Sequence, residues 1–288
     1  MTSRAWILLG LASGCSTAPT QSGPADAEAP APGADASDAF ESPSEGGGGV
    51  HDGSVPDASD ASAEAGASDS GAFHALLFSK TAGFRHDSIP DALQAIEDLG
   101  KANGFDTLAT EDGSLFTDAN LAMYQVVAFV LTTGPVLDDN QHAAFERYIR
   151  AGGGYVGIHS AADTEYNWAF YGGLMGAYFA GHPAIQQATI RVETHAHPST
   201  ASLPDTWVRT DELYNYQTNP RGTVTVLAVL DESTYTGGTM GSDHPHAWYH
   251  AYEGGRAFYT GGGHTKESYS EPLFLQHLLG GIRYAAGR

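Results

Sequence analysis

Cysteine is almost missing from this 288-residue chain: Cys15 is the single one. One thiol closes no internal disulfide, so the folded part must hold by packing and hydrogen bonding. Thiolate chemistry is also excluded beyond residue 15, because a nucleophilic cysteine needs a sulfur to ionise. Basic side chains are scarce, 13 Lys and Arg against 34 Asp and Glu, for a formal net charge of −21. Without a stripe of cations, nucleic acid is not a partner the sequence supports. Long apolar runs are lacking too: the one in MTSRAWILLGLASGC is too short to span a bilayer.

That N-terminal run is nonetheless patterned. Arg4, a short apolar stretch and small residues leading into Cys15 form a lipoprotein-type signal over residues 1–15, with Ala12 where Leu is usual. The pattern predicts lipid attachment at Cys15 and a protein in the cell envelope, facing the periplasm or the exterior, or otherwise secreted. Residues 16–72 carry eleven acidic residues and no Lys or Arg among repeated Ala, Ser, Gly and Pro. Such a segment buries too little apolar surface to offset its ordering entropy, and reads as a disordered acidic linker. The folded domain is predicted over 73–288, and 12 of the 13 histidines fall in it.

Within that domain, residues 74–80, 105–110, 125–131 and 154–160 read as short apolar strands. Residues 89–104 show helical spacing, with Ser88 as the N-cap, and 138–152 form a second helix ending at glycine. This alternation predicts an α/β fold with a mostly parallel central sheet covered on both faces. Further strands are expected at 188–193, 223–230 and 256–261, and a C-terminal helix at 271–287. ETHAHPSTASLP, TDELYNYQTNP and YTGGTMGSDHPHAWYH read as long polar loops. Their aromatics, Tyr214, Tyr216, Trp248 and Tyr249, are candidates either to wall a sugar cleft or simply to pack over the sheet.

In open α/β sheets, sites collect beyond the carboxyl ends of the strands. That places Arg85, His86, Thr132, Thr133, His159 and Asp163 on one rim. GGGYVGIHSAAD (152–163) delivers His159 at an abrupt strand-end turn where many α/β enzymes carry a nucleophile. GxSxG is absent there, and serine hydrolysis through Ser160 would need a histidine partner. An imidazole at that tip can move a proton or bind a metal, and Asp163 can orient it. GGGHTKES (261–268) brings His264 off another strand, with Glu267 as its candidate orienting carboxylate. Arg85 can meet a substrate oxygen, and Glu212 is a further polar candidate. No HExxH spacing exists, so a divalent ion such as zinc would be gathered from His86, His159, His182 and His264 with a carboxylate.

FSKTAGFRHDSIP, GGGYVGIHSAADTEY, GHPAIQQATI, RTDELYNYQTNPRG, ESTYTGGTMGSDHPHAWYH and YTGGGHTKESY together resemble the ThuA-like (trehalose utilisation) family, over residues 74–286. The resemblance implies a flavodoxin-like three-layer sandwich related to the class I glutamine amidotransferases. In that relative a cysteine occupies the elbow, assisted by a His and a Glu. Here His159 stands at the elbow, and His264 and Glu267 are three apart rather than in the His-x-Glu spacing, so glutamine hydrolysis is disfavoured. The family further implies a small carbohydrate substrate: trehalose, a related disaccharide or a 3-keto derivative. A ketone acidifies the neighbouring C–H, which suits a lyase, hydrolase or isomerase. His159 or His264 would carry the proton, Glu267 or Asp163 would orient it, and Arg85 and a metal would stabilise oxygen charge. Arg85, His86, Thr132, Thr133, Glu212, Tyr214 and Trp248 would contact substrate. A non-catalytic, envelope-tethered carbohydrate-binding or scaffolding domain stays open beside the enzyme. Histidines sharing one point favour chemistry; diverging ones favour binding.

Overall fold

Near-continuous apolar runs build the first strands of the structure, a computed structural model that describes residues 72–288. The signal pattern, Cys15 and the linker up to residue 71 lie outside the described residues. β1 (His74–Phe78), β2 (Asp106–Thr110), β3 (Val126–Val130), β4 (Gly154–Ile158) and β11 (Gly255–Thr260) pair in parallel. β6 (Gln186–Val192), β7 (Thr206–Asp211), β9 (Thr225–Leu230) and β10 (Pro245–Tyr252) continue the sheet in antiparallel pairing. The order is β2-β1-β3-β4-β11-β10-β9-β6-β7. Its parallel part has the 2-1-3-4-5 order of flavodoxin-like sheets. The expected α/β architecture is therefore present, with an antiparallel extension.

Strand alternation sorts the core into two layers. Leu77, Ala128, Ile158 and Phe258 face α1 (Ile89–Asn103) and α5 (Pro272–Ala286), whose Ile96, Phe274 and Ile282 are fully buried there. Phe78, Phe129, Tyr155 and Tyr259 face the opposite way. They meet Leu121 of the short α2 (Asp118–Leu121), Phe145 of α3 (Asp139–Arg150) and Tyr171 of α4 (Ala169–Met175). Asp138 and Gln141 close a capping box at the start of α3, which satisfies backbone N–H groups that the helix itself leaves unpaired.

Two local readings change. Ser88 precedes α1 but makes no side-chain cap; its hydroxyl donates instead to the His264 carbonyl at 2.7 Å. The stretch YTGGTMGSDHPHAWYH, read as loop, ends inside β10, an eight-residue strand paired on both sides. Its burial comes from His, Trp and Tyr rather than from aliphatic side chains, so hydropathy understates it. A small ladder of β5 (Phe179–Gly181) with β8 (Asn215–Tyr216) completes the elements.

Candidate metal centre

Three histidines reach one point from three parallel strand ends. His86 comes from the loop after β1, His159 from the first position of the 3₁₀ turn that follows β4, and His264 from the glycine loop after β11. Their rings pack edge to face at centroid distances of 5.0 Å (His86–His159), 4.9 Å (His86–His264) and 5.2 Å (His159–His264). Glu212, one residue beyond β7, enters from the antiparallel half. One ligand atom from each of these four residues lies within 4.8 Å of every other.

His159 owes its aim to an uncommon backbone, with φ at +50°, a region that non-glycine residues enter rarely and at a cost of about 1–3 kcal/mol. Tyr259 donates its hydroxyl to the His159 carbonyl at 2.9 Å, and Tyr214 lies over the ring at 4.1 Å. Nδ1 of His159 donates to the Gly261 carbonyl at 2.8 Å, since that oxygen only accepts. The neutral ring therefore presents a lone pair at Nε2. On the His264 loop, Gly263 adopts φ +113°, and a Cβ at Gly262 would lie 2.5 Å from Arg209 Nη1. GGGH is thus a steric requirement for delivering His264 here.

The inner triangle is tight: His264 Nδ1 lies 3.1 Å from Glu212 Oε2 and 3.2 Å from His159 Nε2, and His159 Nε2 lies 3.3 Å from the same carboxylate oxygen. One proton on His264 serves only one of two acceptors, whereas a cation at the centre serves all three atoms. Ligands about 2.0–2.1 Å from a tetrahedral metal stand about 3.3 Å apart, so the spacing fits a divalent ion. His86 has Nδ1 3.4 Å from Ser160 Oγ; donation from Nδ1 to that hydroxyl would free its other nitrogen for the ion.

Electrostatics follow from the same geometry. Burial, reinforced by His159 and His264, lowers the His86 pKa to about 3 and keeps it neutral. Burial alone would raise Glu212, but its close pairing with His159 and His264 outweighs it and holds the carboxyl well below the usual carboxylate range. For His264, burial works downward, yet hydrogen bonding to Glu212 and its charge give a net upward shift. The centre opens onto a cavity of about 310 Å³ lined by Phe84, His86, Asp163, Phe179, His182, Glu212, Tyr214 and His264. That is the small end of ligand-pocket sizes.

The remaining candidates are dispersed. His182 stands at the cavity wall with Nδ1 3.0 Å from Glu212 Oε1, outside the four-residue set. Asp163 lines the cavity and accepts from Tyr166 at 2.6 Å. Thr132 and Thr133 are fully buried; their hydroxyls meet Thr164 and the Phe84 carbonyl. Arg85 donates to Glu111 at 2.6 Å. Trp248 is buried and donates to the Met175 carbonyl. Tyr216 is buried beside it, and Tyr249 packs against His197 and Tyr284. Glu267 is exposed in the 3₁₀ turn Lys266–Ser270, and the carboxylate beside His264 is Glu212. Asp211 was missed altogether; a lone acidic residue at the end of the alternating strand TWVRTD carries no spacing signature.

Comparison with known proteins agrees with this site-bearing fold. Among solved structures, a ThuA-like protein from Bacteroides uniformis is 25% identical, with TM-score 0.65, 77% of this chain covered and 94% of that one. A ThuA-like protein from Parabacteroides merdae is 20% identical, with TM-score 0.64 and coverages of 74% and 90%. A cytoplasmic protein from Salmonella typhimurium LT2 shares 11% identity at TM-score 0.52, covering 74% and 99%. No curated protein matches the chain. The family profile described as "ThuA: Trehalose utilisation" matches residues 74–285, nearly the whole described region, and the chain belongs to the ThuA family.

Proposed function

We propose that the chain is a carbohydrate-active enzyme of ThuA type whose working centre is a divalent-metal site of His86, His159, His264 and Glu212. The carrying observation is the convergence of four ligand atoms from separate loops at the floor of a ligand-sized cavity. A family described by trehalose utilisation and aromatic walls at Phe84, Phe179 and Tyr214 support a small sugar or keto sugar as the ligand. Bound, a divalent ion would polarise a carbonyl or hydroxyl oxygen and acidify coordinated water. Glu212 neutralises positive charge at the floor, while Gly261 and Tyr259 fix the ring and backbone of His159. Asp163, held by Tyr166 on the same cavity, is the residue to carry a proton to or from the substrate. Ser160 is fully buried and contributes its hydroxyl to His86 rather than a nucleophile. Lipidation at Cys15 would hold this activity at the cell envelope.

Metal analysis of protein purified without chelator, followed by turnover on disaccharides and their 3-keto forms, tests the reading. One divalent ion per chain is expected, and Asp163→Asn should lower turnover at least ~10²-fold. A metal-free wild-type protein that binds sugars without altering them would make this a binding module instead.

A further inference from the structure

The buried carboxylate next to Glu212 takes no part in the chemistry described above, yet it touches both sides of the centre. Asp211 is 1% exposed. Its Oδ1 accepts from the backbone N–H of Glu212 at 3.0 Å, of His264 at 3.1 Å and of Thr265 at 3.3 Å. Its Oδ2 accepts from Gly263 N–H at 2.7 Å and from the Ser268 hydroxyl at 3.2 Å, and pairs with Arg209 at 3.1 Å. Arg209 is itself fixed, its guanidinium 4.3 Å above Phe274 and 4.8 Å above Trp207. Oriented backbone N–H groups gathered on one anion make a rigid nest. Here the anion belongs to the end of β7, and most of the nest belongs to the loop after β11.

We infer that Asp211 is the positioning residue of the centre: it locks the His264 loop onto the strand end that carries Glu212 and so sets the 3.1 Å approach of these two groups. The inference rests on the metal reading for its consequence but on this hydrogen bonding for its geometry. Neutral asparagine has one acceptor oxygen and turns an NH₂ toward backbone donors, so Asp211→Asn should loosen the loop while keeping side-chain volume.

Co²⁺ titration of the full protein, with imidazole ¹⁵N spectra of the metal-free form, separates the possibilities. D211N with native near-UV circular dichroism should bind Co²⁺ about 10–100-fold more weakly, as when an outer-shell partner of a metal ligand is lost. Its metal-free His264 resonances should move toward those of exposed surface histidines. A folded D211N with wild-type Co²⁺ affinity and unmoved His264 resonances overturns the inference. Should D211N fail to fold, Ser268→Ala removes one donor to Asp211 and the oxygen that accepts from Arg209 at 2.7 Å, while the Asp211–Arg209 charge pair stays in place. A weaker Co²⁺ complex and shifted His264 resonances then support the role, and no change in either refutes it. If the wild type binds no Co²⁺, the metal reading falls, and the His264 resonances alone decide what Asp211 positions.

Discussion

The rim beyond β1, β4 and β11 and the layer beneath α5 both hold buried histidines, in opposite electrostatic settings. At the rim, His159 and His264 share the Glu212 carboxylate, and their nitrogens converge. Beneath α5, His277 packs among Phe258, Trp207 and Phe274, while His197 sits between Tyr249 and Tyr284. The Nε2 atoms of His277 and His197 have no hydrogen-bond partner, and burial lowers both pKa values to about 4. The same residue type therefore converges on a shared carboxylate at the rim, where we propose a cation is held, and serves as neutral packing beneath α5. Enrichment in histidine does not locate a centre, and neither does a single pair such as His244–Glu232 or His142–Glu165; several imidazoles converging on one carboxylate do.

Removing that anion should break the contrast most sharply. Glu212→Gln keeps the shape but withdraws the charge shared by His159 and His264. Divalent-ion affinity should fall by more than ~10²-fold, beyond the loss of an outer-shell partner. The His264 pKa should drop, because its upward shift depends on Glu212; titration of the metal-free protein by NMR reads this directly. An E212Q protein that keeps both properties would show that the rim histidines are packed like those beneath α5.

Acid should sharpen the comparison from the other side. A buried histidine whose folded pKa is below its unfolded value of 6.5 carries no protonation penalty above that pH. As pH falls from 6.5 toward 4, the unfolded chain takes up a proton that native His277 refuses, so stability falls across this window. For His277 the loss is on the order of 3 kcal/mol, and His197 contributes in the same direction. Urea midpoints between pH 7 and pH 4.5 should therefore decline. In His277→Leu they should decline less steeply, even if the variant starts lower for want of the bond to the Ser199 carbonyl. Parallel slopes would assign the acid sensitivity to other groups.

The parallel half of the sheet was legible because it is written in local signals. β3 is a near-continuous apolar run, α1 shows helical spacing, and His86 and His159 follow strands whose carboxyl ends share one rim. The antiparallel half was legible only in part: the strands expected at 188–193 and 223–230 are β6 and β9, while β7 and β10 went unread because long-range pairing defines them. β6 lies between β7 and β9, and β10 is buried by His, Trp and Tyr, whose polar atoms disguise a core strand as a loop. This half supplies Glu212 and Asp211, so the histidines could be read ahead of the carboxylate that distinguishes them. Glu267 looked the better partner because it is three residues from His264. The 3₁₀ turn that begins at Lys266 instead leaves Glu267 exposed.

The smallest effect expected concerns how the rim holds its backbone. His159 keeps φ at +50° while Tyr259 donates to its carbonyl and Tyr216 donates in turn to Tyr259 at 3.2 Å. Tyr259→Phe leaves the ring packing in place and removes two buried hydrogen bonds, one to the His159 carbonyl and one from Tyr216, a loss of about 2 kcal/mol. For a domain of this size, that lowers the melting temperature by about 4–8 °C. Val208→Thr, at an exposed position on the edge strand β7, should stay within about 0.5 kcal/mol and serves as the control. The informative outcome is the joint one. A loss of stability with wild-type metal affinity would mean that the Gly261 bond to Nδ1 suffices to aim the ring. A matching loss of affinity would mean that the strained turn itself sets the position of Nε2, and that the tyrosine pair beneath it belongs to the centre rather than to the core.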